Sequence, residues 1–350
     1  MNTLITAIVF IFILSGLVII HELGHFAVAR WVKIRVEQFS IFFPPHIWKK
    51  KYGETEYAIG AIPLGGYVRL FGEESGVKTK GSYESASAWQ RLAVIAAGVI
   101  MNFIMAVALL WFGFTIGMPP VVSSPAQLGI NSPTQVIVTL VESGSAADKA
   151  GVQTGDEIKG YQSAQTLENF TAANRGETVN FIINHKGSDR TVTATLAKNG
   201  AAFGIGLAET TIIKVSPLIA LKLAVIESWR IVVTMGKFMG QLFTGLFVHA
   251  KLSSEVTGPV GIFVYTGQAL QLGFAYLVQL AAMISVNLAL VNLIPFPGLD
   301  GGRALFVLLE AVFKRKVVRE QYEAIFHTVG FWLLMIFFIV ITVRDIGRFF

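Results

Sequence analysis

Apolar residues are distributed along this chain in two distinct patterns. Four runs are apolar almost without interruption: Leu4 to Ala29, Leu92 to Met118, Phe274 to Leu293 and Phe326 to Val343. A helix needs roughly 20 such residues to cross a hydrocarbon core about 30 Å thick, so the pattern predicts four membrane-spanning helices. The third runs into Pro295 and Pro297, which predicts a break or kink at its end. From Pro120 to about Thr211 the pattern changes to short β-branched runs separated by Gly, Ser, Asn and Asp, among them Gln135 to Val141 and Arg190 to Leu196. That stretch predicts a small, mainly β domain. The expected fold class is a polytopic α-helical membrane protein with four transmembrane helices and one inserted β domain.

Ile231 to Val248 tests the count, since it is apolar apart from Lys237. It continues a helical pattern opened at Ser216-Pro217, and Lys222, Glu227, Arg230 and Lys237 recur along it. Charge in that rhythm predicts a helix lying at the membrane interface rather than a fifth span. The expected organisation is therefore 1–119 (two spans and the loop between them), 120–211 (β domain), 212–273 (interfacial helix and the segment after it) and 274–350 (two further spans).

Composition agrees, with 53% hydrophobic and only 14% charged residues, far from the usage of soluble domains. No Lys or Arg precedes the first apolar run, and the run is too long for a signal-peptide core, so it is expected to stay in the mature protein. The chain has no cysteine, which excludes disulfides and leaves only N and O ligands for any metal.

Charge gives an orientation. The segment from Arg30 to Arg91 carries ten Lys or Arg, and the loop from Ala311 to Phe326 adds Lys314, Arg315, Lys316 and Arg319; both are expected in the cytosol by the positive-inside rule. The stretch from Pro119 to Gly273 has eleven basic and ten acidic residues, and long domains translocate largely regardless of charge. The β domain and both termini are thus expected outside the cytosol. The same asymmetry accounts for the net charge of +6 without a nucleic-acid partner.

Chemistry is announced at the end of the first span by Ile20-His-Glu-Leu-Gly-His25. In a helix, a spacing of four puts His21 and His25 on one face, where both imidazoles reach one zinc ion, with Glu22 beside them to take a proton from the metal's water. Zinc lowers the pKa of that water toward about 7 and polarises the scissile carbonyl. Two histidines and an acid inside an apolar helix are costly unless paired or metal-bound, so the setting itself points to function. A catalytic zinc takes three protein ligands. Glu37, Glu54 and Glu56 follow closely but lie in a polar loop; Asp300, in Asn292-Leu-Ile-Pro-Phe-Pro-Gly-Leu-Asp-Gly-Gly302, is the only acid between Glu255 and Glu310. Depth favours Asp300. His21 lies roughly 26 Å along the first span, and the third span, running the same way, brings Asp300 to the same cytosolic side. One zinc per chain is expected. His46, His185, His249 and His327 stand alone and are given no metal role.

With these motifs in order, the chain resembles the site-2 protease family of intramembrane metalloproteases, especially its bacterial branch related to the regulator-of-sigma-E protease. The resemblance rests on His-Glu-Leu-Gly-His, Gly98-x-x-x-Asn102, Gly258-Pro-Val-Gly-Ile262 and the Asn292 to Gly302 signature. It is strengthened by Ser143 to Ile158, which resembles the turn region of a PDZ domain; Leu128-Gly129-Ile130 is the stretch most similar to a PDZ peptide-binding loop. The family implies His21, His25 and Asp300 as ligands, Glu22 as catalytic base, and Asn102 and Asn292 as groups that hold substrate near the zinc. It also implies location in the bacterial inner membrane and, for Tyr57 to Phe71, a membrane-associated β-hairpin, expected here as two short strands around Gly65-Gly66.

A transmembrane substrate hides its carbonyls in its own helix and must be unwound before attack. Residues Gly66 to Leu70, including Tyr67 and Val68, are expected to receive it as an added strand. The partners are then the lipid bilayer and transmembrane protein substrates, with anti-sigma factors, leftover signal peptides and small membrane proteins all compatible; the oligomeric state is not legible. A PDZ scaffold with a vestigial metal site would have no reason to keep Glu22. A transporter with broken helices would be expected to show an inverted repeat, and none is visible.

Overall fold

The computed structural model describes residues 3–73, 77–130, 133–185, 187–249, 256–315, 318 and 320–349. The chain runs from α1 (Thr3–Trp31) through the paired strands β1 (Val36–Tyr52) and β2 (Thr55–Leu70) to α2 (Ala88–Ile116). The β domain follows as β3 (Gln135–Val141), α3 (Ala146–Lys149), β4 (Glu157–Ile158), α4 (Ala164–Ala173), β5 (Thr178–His185), β6 (Ser188–Thr195) and β7 (Ile205–Thr210). Five helices complete it: α5 (Pro217–His249), α6 (Pro259–Leu272), α7 (Phe274–Leu293), α8 (Asp300–Phe313) and α9 (Glu320–Phe349). Among the described residues four helices, α1, α2, α7 and the 325–349 stretch of α9, are long and apolar enough to cross a membrane. The chain divides into two compact units, one of residues 109–230 with 266–280, the other of 2–108, 231–265 and 281–350.

In the first unit the five strands form one antiparallel sheet in the order β6-β5-β4-β3-β7. Alternation decides its faces: Val136 and Val138, Phe181 and Ile183, Val192 and Ala194 point inward, where Ala147 of α3 and Leu167 of α4 complete the core. Ser163 starts α4 with a reciprocal capping pair to Thr166, satisfying donors the first turn leaves open.

Glu227 of α5 is fully buried, and its carboxylate accepts from the backbone N–H groups of Val121, Val122 and Ser123 and from the Ser123 hydroxyl. Arg230 donates to the Ser123 hydroxyl oxygen and to the Gln127 carbonyl. Two charges that the sequence reading assigned to a membrane surface are thus used to fasten the segment leading into the β domain. Glu227→Ala strips three amides of their acceptor, and a buried unsatisfied donor costs about 1–3 kcal/mol. A loss of several degrees in melting temperature is expected; a variant melting with wild type would mean this clamp contributes nothing.

In the second unit, β1 and β2 are both long and bent. Residues 36–41 pair with 66–70 on one side and with 56–59 on the other, while 46–52 pair with the outer side of 55–60. The pair therefore acts as a four-stranded sheet whose outermost segments are 46–52 and 66–70. The hairpin turn lies at Gly53 (φ 62°), a left-handed conformation that favours glycine. This corrects the expectation of two strands turning at Gly65-Gly66: those glycines lie within β2, where it bends to reach the other side of β1. A side chain at Gly60 would sit 2.0 Å from the Phe43 carbonyl oxygen, so the bend depends on it.

The Gly258-Pro-Val-Gly-Ile262 motif has a packing reason in the same unit. The N–H groups of Gly258 and Gly261 donate to the buried Asp345 carboxylate of α9 at 2.8 and 2.9 Å, and a Cβ at Gly258 would lie 2.6 Å from Ile341. A carboxylate at the start of α6 also suits the helix dipole.

Candidate metal centre

Two glycines let α1 and α2 meet where the histidines project. A Cβ at Gly24 would stand 2.4 Å from the Ala97 carbonyl oxygen, and one at Gly98 would fall 2.5 Å from His25 Nε2 and 2.6–2.7 Å from the His21 ring. On the other wall, Asp300 opens α8 immediately after the Pro-broken turn. Gly301 and Gly302 face the carbonyls of that turn, with a Cβ at either meeting one at 2.3 Å. The two glycines are what allow the turn to fold back and present Asp300. Arg91, buried at the start of α2, pairs with Glu310 of α8 at 2.8 Å and with Glu84 at 4.0 Å, which ties the Asp300 helix to the histidine wall.

The result is a convergence. His21 Nε2 and His25 Nε2 are 3.2 Å apart, and Asp300 Oδ2 lies 3.0 Å from the first and 3.3 Å from the second. Tetrahedral ligands at about 2.0–2.1 Å from zinc are roughly 3.3 Å from one another, so the three atoms have the spacing the metal requires. Their protonation fits as well. His25 Nδ1 donates to the Val94 carbonyl at 2.8 Å, which leaves Nε2 with a free lone pair. Asp300 Oδ2 is buried and accepts no hydrogen bond. Lone pairs facing one another at this range repel unless a cation lies between them.

Asn102, one turn beyond Gly98, is fully buried with its side-chain amide 3.3 Å from His21 Nδ1. Its Oδ1 has no partner, and a half-turn of the amide sets that oxygen against the ring N–H. It is thereby placed to orient the His21 imidazole, shut away beside that ring. Asn292 is half-buried in the last turn of α7 and makes no side-chain hydrogen bond among the described residues. Glu37, Glu54 and Glu56 are paired with Arg69, Arg35 and Lys49 in the hairpin and do not join the cluster.

Beside the three atoms lies a cavity of about 540 Å³ lined by Glu22, His25 and Asp300 and, from the strand segment 66–70, by Tyr67, Val68 and Leu70. Gly66 stands against Glu22, whose Cγ would be 3.5 Å from a Cβ there. Two residues that the sequence did not mark also line it: Arg303, one turn after Asp300 and paired with Glu73 at 2.6 Å, and His327 of α9. Nothing local distinguishes His327, because its partner Gly298 is remote in sequence. Of the other histidines, His46 bonds the Tyr67 hydroxyl and His185 bonds Asp156; the His249 side chain lies outside the described residues.

In the β domain, Leu128 ends a short 3-10 turn and Gly129 is left-handed (φ 72°). The strand that follows, β3, is paired on both sides, and the sheet's outermost strands are β6 and β7. Leu128-Gly129-Ile130 thus precedes an inner strand of the sheet, and the open edges are those of β6 and β7.

The profile of peptidase family M50 matches residues 9–337. Curated relatives cover nearly the whole chain. A Clostridium acetobutylicum protein assigned to the zinc metalloproteases by name is 33% identical, over 94% of each chain. Zinc metalloprotease RasP of Geobacillus kaustophilus is 30% identical over 100% of this chain and 99% of its own. Regulator of sigma-E protease RseP of Salmonella typhimurium is 28% identical, over 97% and 98%. The RasP alignment runs to 438 positions against 350 residues here, so that relative carries additional sequence.

Proposed function

Since the chain belongs to peptidase family M50, the site-2 protease type of zinc metalloprotease, we propose that this membrane enzyme hydrolyses peptide bonds within transmembrane segments of other membrane proteins. The observation that carries the proposal is the convergence of His21, His25 and Asp300 at a cavity whose wall includes the outermost strand segment 66–70. His21, His25 and Asp300 hold one zinc. When bound, the metal supplies a Lewis acid that polarises the scissile carbonyl and acidifies water. Glu22 takes the proton of the attacking water and returns it to the leaving amine. Val94 and Asn102 keep the two imidazoles in the tautomer a ligand needs.

The substrate enters as an extended strand. Among the described residues segment 66–70 pairs with β1 alone, so its other edge offers backbone groups to an unwound substrate, and Gly66 sets that strand next to Glu22. Proline at Val68 would remove one of those groups. The β domain is a PDZ domain, with β7 as its open edge, that either sorts substrates by size or binds a trimmed end. The enzyme acts in regulated proteolysis in the bacterial inner membrane, on anti-sigma factors or remnant signal peptides. The cytosol is on the side of the metal centre, with the β domain and termini opposite.

The test is purified enzyme reconstituted with a single-span substrate. Chelation stops cleavage and added zinc restores it, and Asp300→Ala binds zinc at least about 100-fold more weakly, since a first ligand outweighs the 10–100-fold effect of an outer partner. Undiminished zinc affinity in that variant would remove Asp300 from the ligand set.

A further inference from the structure

Among the described residues, Arg303 is the one Lys or Arg that lines the cavity beside Glu22, His25 and Asp300. It follows Asp300 by one turn of α8, and residues three apart in a helix share a face, so both side chains leave the helix toward the same space. Only one end of its guanidinium is committed. Nη1 donates to Glu73 at 2.6 Å. The other Glu73 oxygen accepts from the Leu70 N–H at 3.4 Å, at the end of strand segment 66–70, so the partner is itself held in place. No acceptor among the described residues takes Arg303 Nε or Nη2. The Arg303 side chain is 51% exposed, against 17% for Glu73; the cation approaches its partner from the open side of the cavity.

A guanidinium presents its five N–H donors in a rigid planar fork, and the Nε–H and Nη2–H along one edge are spaced to meet both oxygens of a carboxylate. With Nη1 spent on Glu73, that edge is the one left over. The wall around it is acidic, since Glu22, Glu73 and Asp300 all line the same cavity. The backbone of an intact peptide brings no charge there. Hydrolysis changes this: water adds across the C–N bond, its hydroxyl joining the carbonyl carbon and its hydrogen the nitrogen, and the acid so formed passes its proton to the amine. A carboxylate and an ammonium result. A new carboxylate among three others is repelled unless a cation answers it, and Arg303 supplies one from the cavity wall.

We propose that the Nε–Nη2 edge of Arg303 is a carboxylate-binding site that takes the C-terminal carboxylate released by cleavage. The proposal rests on the reading of that cavity as the peptide site. It gives Arg303 a ligand that the intact bond does not offer, so the fragment ending at the cut binds more tightly than the same stretch of uncut chain, and the enzyme is inhibited by its own product. An acidic side chain carries the same chemistry, and the test separates the two sources.

The cut site of a single-span substrate is mapped by mass spectrometry, and the fragment ending there is made as a fluorescent peptide in three forms: free acid, amide, and amide with Asp as its last residue. Binding is measured on the full zinc-loaded chain. The acid is expected to bind at least about tenfold more tightly than the amide, the value of a charge-assisted pair of hydrogen bonds, and the Asp form to bind like the plain amide. Arg303→Gln is expected to cut the preference for the acid about tenfold while amide affinity stays within about threefold and zinc content is unchanged. Glu73→Gln breaks the same ion pair but leaves the whole guanidinium free, so it keeps the preference; a merely structural ion pair would lose it in both variants. Equal binding of acid and amide by the wild type, a preference that persists in Arg303→Gln, its loss in Glu73→Gln, or an Asp form as tight as the acid would each overturn the proposal. If the parent chain binds none of the three peptides, the cavity is not the peptide site and the proposal falls with that reading.

Discussion

Glu22→Gln is expected to leave the protein folded and loaded with zinc and to reduce cleavage by about 10³-fold or more, within the 10²–10⁴-fold range of general-base catalysis together with the loss of a charge beside the metal. The substitution is nearly isosteric. It keeps the shape of the cavity wall that Glu22 shares with His25, Asp300 and the 66–70 strand, and it touches none of the three converging ligand atoms. What it removes is a carboxylate able to accept a proton from water and pass it on. Zinc content measured on the purified variant, alongside single-turnover cleavage of a reconstituted substrate, separates the two effects. A variant that cleaves as fast as wild type would show that the base is elsewhere, and the cavity's other ionisable residues would then need testing. Loss of zinc with loss of cleavage would mean that the carboxylate supports the metal instead.

Much of this site is legible in the sequence because its parts obey local rules. The spacing of His21 and His25 is a helical repeat, and Asp300 stands alone among apolar residues after two prolines, so periodicity and scarcity suffice to nominate all three. The same holds for the apolar runs that become α1, α2, α7 and α9 and for the alternation that becomes β3 and β6. What is hidden depends on partners far along the chain. Strand β1 reads as a basic loop, because Phe42, with a left-handed φ of 72°, and Pro44-Pro45 break its alternation; only pairing to two separate stretches of β2 makes it a strand. The motif Gly258-Pro-Val-Gly-Ile262 carries no physical reason in the sequence until Asp345 is found against the amides of Gly258 and Gly261. Glu227 is expected at a surface, yet it is buried on amides about a hundred residues earlier. His327 is the clearest case, since neither Gly298 nor the cavity can be inferred from the residues around it.

Gly98 is where a legible motif and a hidden cause meet, and it carries the second large expected effect. As a sequence feature, Gly98-x-x-x-Asn102 is a weak pattern in an apolar helix. In the structure a single added methyl group would lie 2.5 Å from His25 Nε2, 2.6 Å from His21 Cε1 and 2.7 Å from His21 Nε2, all well inside van der Waals contact. Neither ring has room to yield: His25 is held by the Val94 carbonyl, His21 by Asn102, and both face Asp300. Gly98→Ala is therefore expected to push the imidazoles off their common point and weaken zinc binding by at least about 100-fold, beyond the 10–100-fold typical of outer-partner changes, with cleavage lost in parallel. Helix propensity alone predicts the opposite sign for stability, since Ala is favoured over Gly in a helix by about 1 kcal/mol. Gly16→Ala supplies the control, because a Cβ there meets nothing within 4 Å and zinc affinity should be unchanged. Zinc competition against a chelator, measured on both variants, reads the difference directly. If Gly98→Ala holds zinc as tightly as Gly16→Ala, the two imidazoles do not approach α2 as closely as the structure places them, and the metal centre is built differently.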